Sequence, residues 1–591
     1  MCYSSPDMCA ILGLNSPDQD LIGLMNAAAA HRGPDDTGIF LDTAVGLGHN
    51  RLSILDLSVS GHQPMEAQGL QIVFNGEIYN FKELRAELEA RGDTFRSHTD
   101  TEVILRGYAR EGVEYFKKLR GMWALALYDA AAGTLVLARD PFGIKPLYYY
   151  EREGRFAFAS ELRALRPVLS RYGATDNKLA HRLYFTLGYI PAPHSPFEEV
   201  KKVLPGEVLS YNLASKVLSR VATIKPYEDI RQTLQEALED TVRAHFVSDV
   251  PVGLFYSGGI DSTLLLATAK KLGFNPAAFF LRIPNRLDNE YALAAAKELG
   301  VTPVVIEFDE SQAQEALNRA RQTLDEPFAD SSYIPTEYLS SQVAKTHKVV
   351  LSGEGGDEFF GGYHRHNHLL GLRQGMRLVP AALVRLLPSR LRRAVESKIN
   401  RDAYAAYVEF IRLDEGLVSR EEAVAFLRGR VAGQHDNLGL SLDQEIYLPD
   451  DLLFKIDRAG MRHGLEGRVP FLDRRFFAAA RALSARERHG GGATGKALLK
   501  DLLGASLSRA LVDRPKQGFS MPLKLAAGLS DEAFASAAAE AQKHPELVPL
   551  APALVSSLAQ SSSARSKFRK EYPQLSYVIL MWAGWRESFT L

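Results

Sequence analysis

The chain has 591 residues, of which 24% are charged and 46% hydrophobic, and its formal net charge is −1 at pH 7. A single hydrophobic core stops growing at about 250–300 residues, so this length predicts two or more domains. The near-neutral charge argues against a nucleic-acid-binding or membrane-surface protein, because both need a basic excess.

The cysteine content is low, with only Cys2 and Cys9 in the whole chain. It excludes a disulfide scaffold and a cysteine-rich metal site, and it suits a reducing compartment. The sequence shows no signal-peptide pattern and no apolar run long enough to span a bilayer. We therefore predict a cytoplasmic protein with neither nucleic acid nor membrane as a partner. The oligomeric state stays open, and a homodimer is one of the states allowed.

The first part of the chain alternates short apolar strands with Gly, Pro or Asp turns, and helices lie between some of them. This pattern predicts a strand-dominated α+β domain. The predicted strands are residues 45–49, 70–74, 123–128, 134–138 and 146–150, and the predicted helices are residues 80–91 and 101–110.

Cys9 lies directly before an apolar strand. A nucleophilic thiol needs a general base, and the neighbouring residues supply none. The α-amino group of Cys9 would serve if this residue began the mature chain, because its pKa near ~7.7 suits a base at neutral pH.

Polar residues further along the first domain could hold an amino acid at both ends beside this thiol. Asn75 and Gly76 could supply an amide and a backbone N–H as an oxyanion hole, although Asn-Gly alone is also typical of a hairpin turn. Arg51 would clamp a carboxylate, and Asp100 with Glu77 would hold an ammonium group. This set describes glutamine hydrolysis.

The polar residues between positions 31 and 35 are expected to have structural rather than catalytic roles. Arg32 with Asp35 is expected to form a structural ion pair in a turn, and His31 to satisfy a backbone group.

Strands alternate with longer helical stretches from residue 249 onward, after a linker and approach helix at residues 212–228. This alternation predicts βαβ units and a parallel sheet, followed by a mainly helical C-terminal part. The predicted strands are residues 249–255, 276–281, 303–308 and 348–352.

A Gly-rich turn, Ser257-Gly258-Gly259-Ile260-Asp261-Ser262, lies between the first of these strands and a helix that Asp261 or Ser262 could cap. Free N–H groups and the positive helix end make such a turn an anion cradle. A carboxylate there would repel a phosphate unless a cation lay between them, so we infer Mg²⁺.

Further motifs follow in the second domain. Residues 352–363, with Glu354 and Asp357, follow an apolar strand and open at the sheet edge where ligands bind, although their charges could simply mark a helix start. The acidic residues 325–332 could organise Mg²⁺ or simply begin a helix. Lys455 alone would be a surface lysine. The expected buried ion-pair network comprises Asp457, Arg458, Glu466, Arg468 and Asp473.

These motifs together resemble a known family. Residues 257–262 resemble the SGGxDS loop of ATP pyrophosphatases, and the first-domain motifs resemble class II glutamine amidotransferase domains. Over nearly all of residues 8–591 the chain resembles glutamine-hydrolysing asparagine synthetases. The resemblance implies an N-terminal nucleophile hydrolase sandwich (αββα) at residues 9–210. It also implies an α/β parallel-sheet ATP pyrophosphatase-like domain with a helical C-terminal part at residues 225–591.

The resemblance also implies an activity and its residues. Glutamine would be hydrolysed at Cys9, and ATP with Mg²⁺ would adenylate a carboxylate. Glu354 would be the base for ammonia attack and Lys455 the phosphate contact, while residues 514–519 would form a lid or a loop beside the phosphates. Asp261 and Asp357 would hold Mg²⁺. The implied ATP-binding residues are Phe255, Ser257, Gly258, Gly259, Asp261, Ser262, Leu281, Ser352 and Gly353.

The acceptor carboxylate is the open point. Aspartate is expected, but the sequence departs from the family near the substrate, at residues 255–256, 281–286, 355–356, Gly460, Gly464 and Gly467. The alternative is the same chemistry on a sugar uronate or a secondary metabolite. A remoter alternative is a nucleotide-binding regulator without catalysis.

The resemblance generates a prediction about the start of the mature chain. Because the family nucleophile follows the initiator methionine, we expect Met8 to be the true start, or residues 1–8 to be removed, so that Cys9 has a free amine. Intact-mass measurement of the purified protein checks this. A chain that begins at Met1 and turns over no glutamine would contradict it.

Overall fold

The computed structural model describes residues 9–591 except residues 34, 227–231, 285, 367–401, 434, 436, 485–486, 489–494 and 514–529. The expectations about residues 1–8 and the loop at residues 514–519 lie outside the described residues. None of the helices in the described part of the chain is both long and apolar enough to cross a membrane.

The first domain contains two six-stranded antiparallel sheets. Their strand orders are β10-β8-β9-β1-β3-β2 and β12-β11-β7-β6-β5-β4. The strands are β1 (Ala10–Leu14), β2 (Asp36–Leu41), β3 (Gly46–Arg51), β4 (Met65–Ala67), β5 (Leu70–Ile78), β6 (Gly121–Asp129), β7 (Thr134–Arg139), β8 (Tyr148–Arg152), β9 (Arg155–Ala159), β10 (Val200–Lys202), β11 (Glu207–Asn212) and β12 (Val217–Thr223).

The two sheets pack face to face, and helices cover their outer faces. Side chains of both sheets, such as Ile11 and Leu47 from one and Val73 and Leu137 from the other, share a buried core. This arrangement confirms the predicted αββα sandwich. The covering helices are α1 (Gln19–Ala28), α2 (Phe81–Ala90), α3 (Asp100–Glu111) and α4 (Leu162–Tyr172). The next helix, α5 (Lys178–Leu187), packs instead against helices of the C-terminal part.

The second domain is built on a five-stranded parallel sheet of order β15-β14-β13-β16-β17, as the alternating pattern predicted. Its strands are β13 (Val252–Phe255), β14 (Ala278–Arg282), β15 (Val304–Glu307), β16 (Val349–Leu351) and β17 (Glu466–Arg468). Its helices before the C-terminal part are α6 (Leu234–His245), α7 (Ile260–Lys271), α8 (Asp288–Glu298), α9 (Glu310–Thr323), α10 (Tyr333–Val343) and α11 (Gly356–Phe360).

The C-terminal part is helical, again as predicted. In the described residues its helices are α12 (Ala403–Ile411), α13 (Glu421–Arg430), α14 (Leu438–Leu442), a π-helix (Asp443–Leu452), α15 (Leu453–Met461), α16 (Arg474–Arg481), α17 (Ala497–Gly504), α18 (Arg509–Val512), α19 (Asp531–Lys543), α20 (Pro552–Gln560), α21 (Ser562–Glu571) and α22 (Pro573–Ser588).

Helix α22 joins the two domains. Trp585 and the following Phe589 lie in the core on the outer face of the first sheet, with Leu12 and Leu165. Trp585 also donates from its indole nitrogen to the carbonyl of Asp325, 3.0 Å away.

Buried ion pairs connect the domains as well. The Arg32 guanidinium donates to both carboxylate oxygens of Asp457, at 2.8 and 3.0 Å, and Arg468 donates to Glu77 at 2.9 Å. The five residues of the expected network are all buried and ion-paired, but in separate pairs: Asp457 with Arg458, Glu466 with Arg468, and Asp473 with Arg120 of the first domain. They hold domains together as well as helices.

Two expectations about the first domain were wrong. Arg32 does not pair with Asp35, because Asp457 and Glu161 offer it buried carboxylates, while Asp35 pairs with Lys348. His31 pairs with Glu161 rather than with a backbone group. Both partners come from distant parts of the chain. The boundaries 9–210 and 225–591 stay predictions.

The interdomain pairs generate a stability prediction. Arg468→Met would leave the carboxylates of Glu77 and Glu466 buried without their guanidinium partner, which should cost about 3–5 kcal/mol of unfolding free energy. Denaturant unfolding measures this. The matched control is Arg282→Met, whose pair with Glu307 is exposed and should cost less than about 1 kcal/mol. Equal losses in the two variants would contradict the prediction.

Candidate active site

A small cavity in the first domain lies beside Cys9, at the start of β1. Its volume is about 40 Å³. All six residues that the sequence predicted for hydrolysis of an amino acid line it: Cys9, Arg51, Asn75, Gly76, Glu77 and Asp100. Burial raises the pKa of the Cys9 thiol to about 11, so a base must take its proton before it can attack.

Asn75 and Gly76 lie within β5 rather than in a hairpin turn. The buried Asn75 side-chain nitrogen has no hydrogen-bond partner in the described residues. A Cβ at residue 76 would lie 2.2 Å from the carbonyl oxygen of Met122, so only glycine allows this approach. An unsatisfied donor beside a thiol suits an oxyanion hole.

The two carboxylates predicted to hold an ammonium group differ in their partners. Asp100 accepts the N–H of Ile78 at 2.9 Å, and burial raises the pKa of Asp100 to about 6. Glu77 Oε2 accepts from Arg468 of the second domain, which gives Glu77 a structural role that the sequence did not predict. Its buried Oε1 has no hydrogen-bond partner in the described residues, so both carboxylates can still meet an ammonium group.

Arg51 has partners within its own domain. Its guanidinium donates to the carbonyl oxygens of Ser58 at 2.8 Å, Leu55 at 3.3 Å and Asp56. Arg51, which was expected to bind a substrate carboxylate, thus binds the segment after β3 that covers Cys9. A substrate carboxylate would have to replace these carbonyl groups.

The second candidate site lies at the carboxyl edge of the parallel sheet. The predicted turn joins β13 to α7, and Gly259 is the residue before the helix, with no side chain capping the helix start. The expectation that Asp261 or Ser262 caps it was therefore wrong, because the helix begins earlier, at Ile260. Instead, the Ser262 hydroxyl accepts the N–H of Ser257 at 3.2 Å and shapes the turn.

The loop after β16 packs directly on this turn. A Cβ at Gly353 would lie 3.0 Å from the Cβ of Asp261, and one at Gly356 would lie 2.4 Å from its Oδ1. The glycine at 356, one of the departures from the family, thus makes room for the Asp261 carboxylate.

Lys496 is a site residue that the sequence analysis missed. Its buried amine lies 2.5 Å from Asp261 and 2.7 Å from Asp357, the two residues predicted to hold Mg²⁺. Burial opposes protonation, but these two carboxylates raise the pKa of Lys496 above its usual value. The sequence feature that could have singled out Lys496 is a glycine followed by a lysine at the start of a helix, Gly495-Lys496.

The carboxylates of Asp261 and Asp357 therefore share one cation position, which Lys496 fills. Their oxygen donors suit Mg²⁺, which is commonly held by one or two carboxylates with the rest of its ligands from phosphates and water. No cluster of three or more His, Cys, Asp or Glu side chains suited to a metal occurs among the described residues.

Lys455 is buried within the site, not on the surface. Its amine donates to Ser332 at 3.1 Å and lies 3.4 Å from Glu354 and 3.6 Å from Asp330. Burial lowers the pKa of Lys455, but Asp330 and Glu354 raise it above its usual value overall, so the amine is a fixed positive charge.

The remaining predicted residues lie around this centre. Ser352 donates its hydroxyl to Glu354. Phe255 ends β13, and Leu281 is buried in the adjacent β14. Of residues 325–332, Asp330 and Ser332 reach the site, whereas the carboxylates of Asp325 and Glu326 pair with Arg458 and Lys202.

Comparisons with known proteins match both halves of the chain. A family model described as a glutamine amidotransferase domain matches residues 8–222, and one described as asparagine synthase matches residues 233–587. The chain is 32% identical over 559 residues to glutamine-hydrolysing asparagine synthetase 1 of Bacillus subtilis, covering 88% of this chain and 87% of that protein.

Two further matches cover less of the chain. Asparagine synthetase B of Escherichia coli is 33% identical, over 60% of this chain and 65% of its own. A solved structure, glutamine phosphoribosylpyrophosphate amidotransferase of Bacillus subtilis, is 15% identical with a TM-score of 0.28, over 50% of this chain and 65% of that one. That likeness is too small to bear on the function.

The position of Lys496 generates a prediction about divalent cations. Lys496→Met leaves Asp261 and Asp357 without the ammonium group between them, which should lower the melting temperature. Added Mg²⁺ should then raise the melting temperature of this variant more than that of the wild type, because the ion restores the lost positive charge. Thermal denaturation with and without MgCl₂ measures this.

Lys271→Met, which removes an exposed lysine paired with Glu239, is the matched control and should respond to Mg²⁺ as the wild type does. An equal response of Lys496→Met and wild type would contradict the prediction.

Proposed function

Because the chain belongs to the family of glutamine-hydrolysing asparagine synthetases, we propose that it converts aspartate to asparagine through an acyl-adenylate. The chain is a ligase of the glutamine-dependent amidating type. The observation that carries the finer proposal is the group of Glu354, Lys455 and Asp330 beside the two glycine-rich loops.

Glutamine would be hydrolysed in the cavity at Cys9. The thiolate attacks the side-chain amide, and the Asn75 amide with the Gly76 N–H stabilises the oxyanion. Arg51 and Asp100 would hold the carboxylate and the ammonium group of the substrate. The raised pKa of the thiol fits a base that acts only once the free amine of Cys9 is present.

ATP would bind where the turn 257–262 meets the N-terminus of α7. The helix end attracts the phosphates, and Lys455 neutralises charge on the phosphate oxygens as pyrophosphate leaves. Asp261 and Asp357 would hold Mg²⁺, which would supply charge neutralisation at the phosphates once Lys496 gives up its place between them.

Ammonia would then attack the acyl-adenylate, with Glu354 as the base. A buried cavity of about 20 Å³ lies between the two domains and supports a sheltered route for ammonia. Its lining includes Ile144 and Tyr148 from one domain and Leu453 and Asp457 from the other.

The structure accounts for several of the departures that suggested another acceptor. A Cβ at Gly460 would lie 2.4 Å from the carbonyl oxygen of Leu465, and one at Gly467 would lie 2.4 Å from Ile456. These glycines serve close packing around α15 and β17. They therefore give no support to a sugar uronate or a secondary metabolite as the acceptor.

ATP–pyrophosphate exchange tests the proposal. We expect exchange that depends on aspartate, and we expect Lys455→Met to lower its rate about 100-fold or more, because a preorganised charge is lost from the transition state. Lys345→Met, at an exposed lysine that contacts Gln342, is the control and should exchange normally.

The other possible results of the exchange assay distinguish the alternative acceptors from a non-catalytic regulator. Exchange with another carboxylic acid and none with aspartate would overturn the choice of acceptor but keep the chemistry. Exchange with no acid, and identical behaviour of the Lys455 variant, would favour a nucleotide-binding regulator.

A further inference from the structure

Residues 52–61, which we call the covering loop, close the cavity beside Cys9. Leu52, Ile54, Leu55 and Gly61 contribute to its lining. The carbonyl groups of Leu55, Asp56 and Ser58 in this loop accept hydrogen bonds from the Arg51 guanidinium, the group that the proposed function assigns to the glutamine carboxylate. The covering loop must therefore move to let glutamine reach Arg51.

The tip and the base of the covering loop are held by different parts of the molecule. At the tip, Leu57 and Val59 are 56% and 89% exposed, and the Ser58 carbonyl between them accepts from Arg51 of the first domain. At the base, Leu52 and Ile54 are buried against Val349 and Met461 of the second domain. The base is therefore the part that the second domain can position.

Asp249 of the second domain makes two hydrogen bonds to this base. Its carboxylate accepts the N–H of Asp56 at 2.9 Å, and its own N–H donates to the carbonyl of Ile54 at 3.1 Å. The carboxylate of Asp56 in turn accepts the N–H of His98, at 3.0 Å, two residues before Asp100.

Lys348 of the second domain reaches the base through Asp35. Its amine lies 2.7 Å from Asp35 Oδ2, and that same oxygen accepts the N–H of Ser53 at 2.8 Å. One carboxylate oxygen thus joins the covering loop to the second domain.

Both tethers lie at the amino ends of strands whose carboxyl ends carry the nucleotide loops. Asp249 precedes β13, which leads to Ser257, and Lys348 precedes β16, which leads to Ser352 and Glu354. Strands of this kind advance about 3.3 Å per residue, so the four residues of β13 and the three of β16 span only about 13 and 10 Å between the two edges of the sheet.

We propose that Asp249 and Lys348 are positioning residues for glutamine capture at Cys9. They hold the base of the covering loop in the arrangement that completes the cavity wall, and through β13 and β16 they make this arrangement depend on occupancy of the nucleotide site. The inference rests on the proposed function, since it takes glutamine as the substrate at Cys9.

Steady-state glutamine hydrolysis by the full chain tests this role. Asp249→Ala should raise the KM for glutamine about five- to tenfold, because it loses one hydrogen bond to the loop base, while kcat changes less than about twofold. Asp249→Asn keeps an acceptor oxygen and should restore the wild-type KM. Lys348→Met and Lys348→Arg form the second pair, with the same expectation.

Nucleotide dependence is the second measurement. A non-hydrolysable ATP analogue should lower the KM for glutamine in the wild type, and this effect should be absent in Asp249→Ala. Ammonia-dependent synthesis should be unchanged in all four variants, whereas a general folding defect would reduce it.

Cys9→Ala separates the two levels of the proposal. If Cys9→Ala still hydrolyses glutamine, the proposed function at this cavity fails. If Cys9→Ala is inactive but Asp249→Ala and Lys348→Met keep the wild-type KM, only the positioning role is overturned. A wild-type KM that is insensitive to the ATP analogue overturns the dependence on the nucleotide site.

Discussion

Charge buried between the two domains is the constraint on which the rest of the structure depends. A guanidinium or carboxylate removed from water is costly unless a partner meets it, and here the partners come from different domains, as in Arg32 with Asp457. Each domain therefore carries buried charges that the other helps to satisfy. These ion pairs, together with the contacts of α22, fix the relative position of the domains.

The same buried ion pairs also position the two candidate sites relative to each other. Asp457 lies on α15 two residues after Lys455, and Arg32 donates to the carbonyl oxygen of Cys9 at 3.3 Å. One ion pair thus ties the backbone of Cys9 to the helix that carries Lys455, the lysine proposed to contact phosphate. The candidate catalytic groups of the two domains are placed by the same buried contact, so a shift of one domain would disturb both sites.

The sequence predicted those features that depend on local patterns. Strand alternation indicated both sheet types, and glycine-rich turns after strands located Ser257 and Glu354. It could not predict partners set by packing between distant segments, such as Lys348 for Asp35 or Arg468 for Glu77. Lys496 was missed for the same reason, because only the folded chain brings it between Asp261 and Asp357.

The position of α22 has a consequence for how the protein is made. Trp585 and Phe589 complete the core on the outer face of the first sheet, although they are synthesised after the parallel sheet of the second domain. While the ribosome is still adding the second domain, that face is covered only by α1 and α4, and the apolar side chains that α22 will contact meet water. The first domain thus stays unfinished until α22 has been made, and a fragment limited to it would expose the surface that α22 normally hides.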